Sequence, residues 1–169
     1  MMTRLGLALA LLYAICSPSI AAAGATISSA DTGYSVTFPV QPKKELSTEK
    51  GVNLVLYLVR DVDNIFASQE GFYPAIKDVQ AELEADLANL VKQMDSELTS
   101  KRNADFITTA GTTLPARQFS FEGTKFAGNG IAVASGRCTC VIMAVATSVK
   151  PNGKNARNEK FLSSFKIDK

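Results

Sequence analysis

The alternation of apolar and polar residues predicts two strands in the first third of the chain. Residues 34–38 (YSVTF) alternate strictly and are followed by two prolines, which is typical of a half-buried strand that stops where the ladder loses its donors. Residues 52–59 (VNLVLYLV) place apolar side chains on both faces, so we expect a central strand that is covered on both sides. The polar residues 43–51 end at a glycine and predict an exposed turn.

A helical period replaces the strand pattern over residues 75–101. Apolar residues recur there at steps of three and four, and charged or amide residues fill the positions between them. A proline precedes the segment, at a place that the first turn of a helix tolerates. The spacing predicts a long amphipathic helix whose core face comprises Ile76, Val79, Leu83, Leu87, Leu90, Val91, Met94 and Leu98.

Strand patterns return after this helix, and a short helix closes the chain. Turn residues separate four predicted strands, of which the last is apolar on both faces, and residues 155–165 predict the closing helix. This order predicts an α+β fold: an antiparallel β-sheet with a long central helix on one face and a C-terminal helix. The four strands are residues 105–109, 116–122, 130–134 and 138–148.

The glycine-rich segment 123–130 (GTKFAGNG) is interpreted as part of a hairpin. Gly123, Gly128 and the Asn129-Gly130 pair are typical turn residues. The segment lacks the G-K-[ST] ending of a phosphate loop and does not open a helix, so phosphate binding is not predicted.

Two short stretches resemble the ends of a known fold. Residues 33–42 (GYSVTFPVQP) are similar to the first strand of the PsbP-like superfamily, which runs into a proline, and residues 161–166 (FLSSFK) are similar to its final helix. This superfamily includes small bacterial envelope proteins of the DcrB type. The resemblance implies a PsbP-like α/β/α sandwich over most of residues 24–169 and an accessory or binding role without catalysis. No catalytic motif or metal association of the superfamily is carried over to this chain.

Residues 1–23 have the pattern of a secretory signal peptide. Arg4 precedes an apolar stretch over residues 5–16, and a run of small residues follows. The apolar stretch is shorter than the roughly 20 residues that span a bilayer. We expect cleavage after Ala23, with cleavage after Ala25 as the alternative. The mature protein is then a periplasmic or secreted bacterial protein with no transmembrane segment.

The remaining residues 24–169 are expected to form a single domain. No repeat, low-complexity run or linker divides them. Lipid attachment at Cys16 is the other interpretation of the first segment, but Ile15 is not the small residue that normally precedes a lipid-modified cysteine. A cleaved export signal is therefore favoured over a lipid anchor.

The composition limits the chemistry that this chain can perform. Its 169 residues include no histidine and no tryptophan, 46% are hydrophobic, and 18 Lys and Arg balance 16 Asp and Glu. The absence of histidine excludes a Ser-His-Asp triad, a Cys-His pair and any zinc site that needs imidazole. A formal net charge of +2 gives no reason to expect a nucleic-acid partner. No catalytic residue, cofactor or metal ligand is predicted.

Cys138 and Cys140 are the candidate redox pair. On an extended strand both side chains would point to the same side, with Cα atoms about 6.5–7 Å apart, at the limit of disulfide geometry. Three interpretations are open: two small buried hydrophobic residues, a local disulfide, or a redox or soft-metal site. The first is favoured, because no other nearby Cys or His completes a metal shell and Met143 alone is a poor third ligand.

Two further patterns are given structural interpretations. Ser47 and Lys50 match the S-x-x-K pattern of serine acyl-enzymes, but they lie in a polar loop and the companion motifs S-D-N and K-T-G are missing. The carboxylates of the long helix alternate with its apolar stripe and predict a solvated face: Glu82, Glu84, Asp86, Asp95 and Glu97.

An excess of cations marks the C-terminal segment 150–169. Such a surface could contact an anionic lipid or an acidic partner. A terminal helix whose cations suit its C-terminal end is the favoured alternative. The residues concerned include Lys150, Lys154, Arg157 and Lys160.

These observations predict an exported, non-catalytic accessory or binding protein of the cell envelope. Its partner is expected to be an envelope protein, and neither nucleic acid nor a cofactor is expected. The alternative is a thiol-redox or metal-handling protein that uses Cys138 and Cys140.

Overall fold

The computed structural model describes residues 24–135, 139–149 and 155–168. Strands account for 58% of these residues and helices for 17%. The fold is therefore mostly β, and the predicted α+β class with a long central helix, the PsbP-like α/β/α sandwich, is wrong. The predicted signal peptide lies outside the described residues. In chain order the elements are β1 (Ala25–Ser28), β2 (Tyr34–Phe38), β3 (Lys43–Glu49), β4 (Val52–Arg60), β5 (Asn64–Phe72), α1 (Val79–Gln93), β6 (Ser96–Ile107), β7 (Thr113–Gly123), β8 (Phe126–Ser135), β9 (Cys140–Val149), α2 (Ala156–Ser163) and β10 (Lys166–Ile167).

A seven-stranded sheet forms the centre of the structure, with the strand order β3-β4-β5-β9-β8-β7-β6. Every neighbouring pair is antiparallel. β4 and β9 lie inside the sheet, as their two apolar faces predict. The segment 43–51, predicted to be a turn, instead supplies the edge strand β3. An edge strand is hydrogen-bonded on one side only, and most side chains of β3 are exposed, so it forms without an apolar pattern.

The helix α1 is shorter than the predicted segment 75–101. Its N-cap is Asp78, whose side chain accepts hydrogen bonds from two backbone N–H groups of the first turn. Asp95 adopts a left-handed backbone conformation with a φ of 48°, and β6 begins at the next residue. Leu98 lies on β6 and packs against the same core as the helix. The apolar period therefore continues across a boundary at which the backbone conformation changes.

The first hydrophobic core lies between α1 and one face of the large sheet. α1 contacts β6, β7 and β8, and buries Leu83, Leu87 and Val91 against them. Burial of these side chains supplies most of the stability of a helix of this length, since short helices are marginal alone. Their buried partners on the sheet are Phe119, Phe121, Ala132, Ala134, Val141, Met143 and Val145.

The opposite face of the large sheet is covered by a three-stranded sheet of order β1-β2-β10 and by α2. The ring of Phe161 on α2 packs against Phe38 of β2 and Phe66 of β5, with centroid distances of 5.0 and 5.3 Å. This second core joins residues from both ends of the described chain. Its buried members are Tyr34, Val36, Phe38, Val59, Phe66, Ala116, Val133, Cys140, Ile142, Ala144, Ala146, Phe161, Phe165 and Ile167.

The closing helix is also shorter than the predicted 155–165. Asn155 is its N-cap, and the side chain of Asn155 accepts a hydrogen bond from the backbone N–H of Asn158. The helix ends before Phe165, because the next two residues pair with β2 as the strand β10. Residues 150–154, which connect β9 to this helix, lie outside the described residues.

The sequence pattern predicts Gly128 and Gly130 to be turn residues. In the structure both lie inside the strand β8. They are the cross-strand partners of Phe121 and Phe119. A Cβ atom on Gly130 would lie 2.5 Å from the ring of Phe119 and 2.6 Å from the carbonyl oxygen of Ala144. Glycine is needed here because an aromatic ring lies directly over the backbone of the neighbouring strand.

Candidate functional site

An open cleft lies over β6, β7 and β8, on the sheet face that also carries α2. Its volume is about 400 Å³, within the range of roughly 300–1,000 Å³ that small-molecule sites occupy. The register of the three strands places two rows of side chains across its floor. The first row is Arg102, Gln118 and Ile131, and the second is Ser100, Ser120 and Asn129.

The position of α2 explains why this part of the sheet is open and polar. α2 packs on β9 and β2, and its Leu162 forms one wall of the cleft. On the same face, Phe106 of β6 packs against Phe165 in the second core. In the cleft itself Ser100 and Arg102 are exposed, so the side chains there need not be apolar. Along β7, Arg117, Phe119 and Phe121 are buried on the face towards α1, and Gln118 and Ser120 alternate with them as half-buried residues on the cleft face.

The charged group of the cleft is Arg102. Its Nη2 donates a hydrogen bond to Oε1 of Gln118, its neighbour in the same row. Lys101 also borders the cleft, but its ammonium group pairs with Glu84 on α1. Among the described lining residues no side chain is acidic. The cleft therefore has a positive end.

Asn129 leaves a hydrogen-bonding group of the cleft unsatisfied. Its Oδ1 is shielded from solvent, and within the described part of the chain no donor reaches it. A buried carbonyl oxygen without a donor costs about 1–3 kcal/mol, which makes such groups rare in folded proteins.

A second polar site joins the segment after β5 to α1. The hydroxyl of Tyr73 donates to both carboxylate oxygens of Asp86, at 2.7 and 2.8 Å, and the backbone N–H of Tyr73 donates to the carbonyl of Thr139. Burial raises the pKa of Asp86 to about 6; the Tyr73 hydrogen bond opposes this shift and the charge of Glu82 adds to it. The predicted solvated acidic face is thus wrong at Asp86, which is half-buried.

Glu84 also departs from that prediction, since it is part of an ion cluster between α1 and the sheet. Its carboxylate pairs with Lys101 of β6, and its Oε1 accepts a hydrogen bond of 2.9 Å from Nε of Arg117 on β7. Hydrogen bonds from these two cations hold the pKa of Glu84 below its usual range. Arg117 is 5% exposed, so Glu84 compensates a buried positive charge.

Glu70 is a further acid that the sequence did not single out. It is 3% exposed on β5, beneath the small sheet, and Oγ1 of Thr32 donates a hydrogen bond of 2.7 Å to it. Next to it, the hydroxyls of Tyr34 and Ser68 are 3.2 Å apart. These contacts attach the β1–β2 hairpin to β5.

The candidate redox pair is described in part. Cys140 is fully buried at the start of β9 and is disulfide-bonded, and its partner lies outside the described residues, as does Cys138. Thr139 has a φ of 50°, a rare conformation for a β-branched residue. β9 begins at Cys140, so the extended conformation that was predicted for residues 138–148 does not hold at Thr139.

The other sequence candidates are separated in the fold. Ser47 lies on the edge strand β3, and Lys50 lies in the turn after it with a φ of 51°, so they do not form the helix start that an S-x-x-K nucleophile needs. Of the C-terminal cations, Lys150 and Lys154 lie outside the described residues. Arg157 pairs with Asp61 at 2.7 Å, and Lys160 is exposed on α2.

A second concavity is too small for a ligand. It lies between the end of α1 and the strands β4, β5 and β9, is lined almost entirely by apolar groups, and has a volume of about 40 Å³. Over the described ranges, no three His, Cys, Asp or Glu residues are grouped as a metal site would require. In the same ranges, neither helix has the length and hydrophobicity needed to cross a bilayer.

No protein-family model and no curated protein matches this chain. The sequence did not identify the cleft, because serine, glutamine and asparagine on alternate strand positions form no motif. The sequence feature that could have indicated the cleft is the recurrence of these polar residues on one face of strands whose other face is apolar.

Proposed function

We propose that this chain is a non-catalytic binding protein of the bacterial cell envelope, and that it binds a small polar ligand in the cleft over β6, β7 and β8. The observation that supports the proposal most directly is a cleft of about 400 Å³ whose floor carries two rows of mostly polar side chains and the guanidinium group of Arg102. A cleft with that volume and those groups has both the space and the hydrogen-bonding partners to take up a ligand.

The composition of the cleft favours binding over catalysis. Its hydroxyl groups, on Ser100 and Ser120, have no carboxylate beside them among the described lining residues. The side chain of Lys101 is held as an ammonium group in an ion pair with Glu84, so it offers no neutral amine as a base. A hydroxyl nucleophile needs an adjacent base to be activated, and this arrangement supplies none.

Export is supported by the sequence pattern of residues 1–23: a cation, an apolar stretch and a run of small residues. The alternative function, thiol exchange at Cys138 and Cys140, requires a reactive thiolate that is accessible to a second thiol. Complete burial of Cys140 disfavours this alternative.

Native mass spectrometry of protein isolated from its own envelope tests the proposal. We expect the wild-type protein to carry a small-molecule adduct. Ser100→Trp should abolish the adduct, because Ser100 is exposed on the edge strand β6 and an indole there fills the cleft without disturbing the core. The matched control is Ser47→Trp, an exposed serine on the opposite edge strand β3, which should retain the adduct.

Three results would contradict the proposal. One is a wild-type protein that carries no adduct, and another is an adduct that persists in Ser100→Trp. The third is a stoichiometric protein partner whose binding is unchanged by Ser100→Trp, which would place the binding function on another surface.

A further inference from the structure

The geometry points to a hydroxylated carboxylate of about monosaccharide size, the chemical class of the sugar acids, as the ligand of the cleft. The inference rests on the proposed function and adds the class of ligand. It assigns the carboxylate of the ligand to Arg102 and the hydroxyl groups to the row formed by Ser100, Ser120 and Asn129.

The positive end of the cleft accounts for the carboxylate. Among the described residues no carboxylate pairs with Arg102, whose guanidinium group donates a hydrogen bond to Gln118. That bond uses one of the five N–H donors of the guanidinium group and fixes its position next to the cleft floor. The remaining donors form the planar fork that matches a carboxylate.

The second row accounts for the hydroxyl groups. Ser100 and Ser120 are cross-strand partners, and so are Ser120 and Asn129, so their side chains form one polar line. Serine hydroxyls both donate and accept, and the amide of Asn129 adds a third polar side chain to this line. Ligand hydroxyl groups match such a polar line, whereas a purely apolar acid would offer it no hydrogen bond.

The dimensions of the cleft set the size of the ligand. The two rows lie two residues apart along each strand, which is about 7 Å, and β6 and β8 are about 10 Å apart across the sheet. A single sugar ring with an exocyclic carboxylate spans that distance. Ile131 and Leu162 offer apolar contacts for the C–H groups of such a ring.

A carboxylate fits better than a phosphate ester. A phosphate ester carries up to two negative charges, whereas Lys101 is paired with Glu84 and leaves Arg102 as the cation of the cleft floor. One guanidinium group balances a single negative charge. The inference therefore names a monoanionic ligand.

Isothermal titration of the purified exported protein with four probes tests the ligand class. The probes are glucuronate, glucose, cyclohexanecarboxylate and glucose 6-phosphate. We expect glucuronate to bind most tightly, since it alone carries both a carboxylate and ring hydroxyls without a second negative charge. Arg102→Met should lower the affinity for glucuronate by about 10- to 100-fold and leave the affinity for glucose unchanged, because only the charge-assisted hydrogen bond to the carboxylate is lost.

Two further variants assign the roles within the cleft. Asn129→Leu should weaken glucuronate and glucose by the same factor. Arg60→Met removes an exposed cation from β4, outside the cleft, and should change neither affinity. Far-ultraviolet circular dichroism of each variant confirms that the fold is intact.

The outcomes separate a wrong ligand class from a wrong function. Equal affinity for glucose and glucuronate, or tighter binding of glucose 6-phosphate, overturns the sugar-acid class. If no probe binds but native mass spectrometry shows an adduct that Ser100→Trp removes, the class is overturned and the binding function stands. If neither experiment detects a ligand, both proposals fail.

Discussion

The hydroxyl of Tyr73 donates to both carboxylate oxygens of Asp86, at 2.7 and 2.8 Å, and so links the segment after β5 to the middle of α1. The carboxylate is held in a half-buried position with Glu82 one helical turn away. Because burial disfavours its charged form, the folded protein binds a proton at Asp86 more tightly than the unfolded chain does.

We predict that Asp86 makes the protein more stable as the pH falls from 7 towards 4. The pKa of Asp86 is about 6 in the folded state, above its ordinary value of 3.8. Between these values the folded state holds a proton that the unfolded state has lost, so the free energy of unfolding decreases as the pH rises through this window. Relative to Asp86→Asn, the wild type should gain about 1–3 kcal/mol between pH 7 and pH 4.

Urea unfolding of the wild type and of Asp86→Asn at several pH values measures this difference. Comparing the two proteins cancels the other carboxylates, including Glu84, whose lowered pKa acts in the opposite direction. Asp105→Asn, at an exposed position on β6, is the matched control and should follow the wild type. Parallel curves for the wild type and Asp86→Asn would show that the pKa of Asp86 is not raised.

A second prediction concerns the buried guanidinium of Arg117. Glu84→Ala should destabilise the protein by about 2–4 kcal/mol, because it leaves that charge buried and without its carboxylate. Lys101→Met should cost less than about 1 kcal/mol, since its pair with Glu84 is solvent-exposed. Thermal and urea denaturation measure both effects.

The double variant Glu84→Leu, Arg117→Met provides the internal test of this explanation. It removes both charges and should recover most of the stability that Glu84→Ala loses. A double variant as unstable as Glu84→Ala would mean that the loss comes from packing and not from an uncompensated charge.

A third prediction follows from the aromatic rings that lie over β8. Gly130→Ala should cost about 1–3 kcal/mol, because the added methyl group meets the Phe119 ring and the carbonyl of Ala144. The comparison is Gly111→Ala, where a Cβ meets nothing within 4 Å and the penalty of about 1 kcal/mol comes from a φ of 81°. The midpoints of urea unfolding rank the two variants, and an equal or smaller loss for Gly130→Ala would contradict the close contact.

A fourth prediction distinguishes the two functional classes. Cys140 is fully buried and disulfide-bonded, so a thiol-specific alkylating reagent should not modify it in the native protein, even after a mild reductant is added. Reduction under denaturing conditions should expose it. Rapid labelling of Cys140 in the folded, gently reduced protein would favour the thiol-redox alternative, and peptide mass mapping locates the label.

The sequence predicted the interior strands best. The predicted strand 34–38 coincides with β2, and the predicted 52–59 extends by one residue to β4, because both carry apolar side chains at each position that meets a core. The apolar pattern does not identify the edge strands of the large sheet. β3 and most of β6 consist of polar residues, since an edge strand is paired once and lies under solvent.

The fold class was mispredicted because the same spacing of apolar residues continues from the helix α1 into the strand β6. Met94 and Leu98 continue the stripe that Leu83, Leu87 and Leu90 begin, and all five pack into one core. The change from helix to strand depends on the left-handed backbone of Asp95. A single aspartate in such a conformation does not alter the hydrophobic spacing, so the helix was predicted too long. Of the twelve residues of β6, only 105–107 were predicted to be part of a strand.

No sequence motif marks the candidate site, because its residues come together only through the pairing of strands. Gln118 and Asn129 are common surface residues, and their proximity arises from the pairing of β7 with β8 and from the limited reach of α2. Tyr73 and Asp86 are likewise brought together by the path of the segment between β5 and α1. These relationships are set by topology and become visible only in three dimensions.

The backbone N–H of Thr37 donates to Oγ of Ser164 at 2.9 Å across 127 residues of sequence. The layer that covers the second core is thus built from the first and last segments of the described chain, which are the furthest apart in sequence. Until α2 and β10 are available, the aromatic side chains of β2 have no complete partner surface, so this layer is expected to form late. Closing so long a loop costs chain entropy before the contacts that offset this cost have formed. We therefore expect the protein to fold slowly, as topologies of high contact order do.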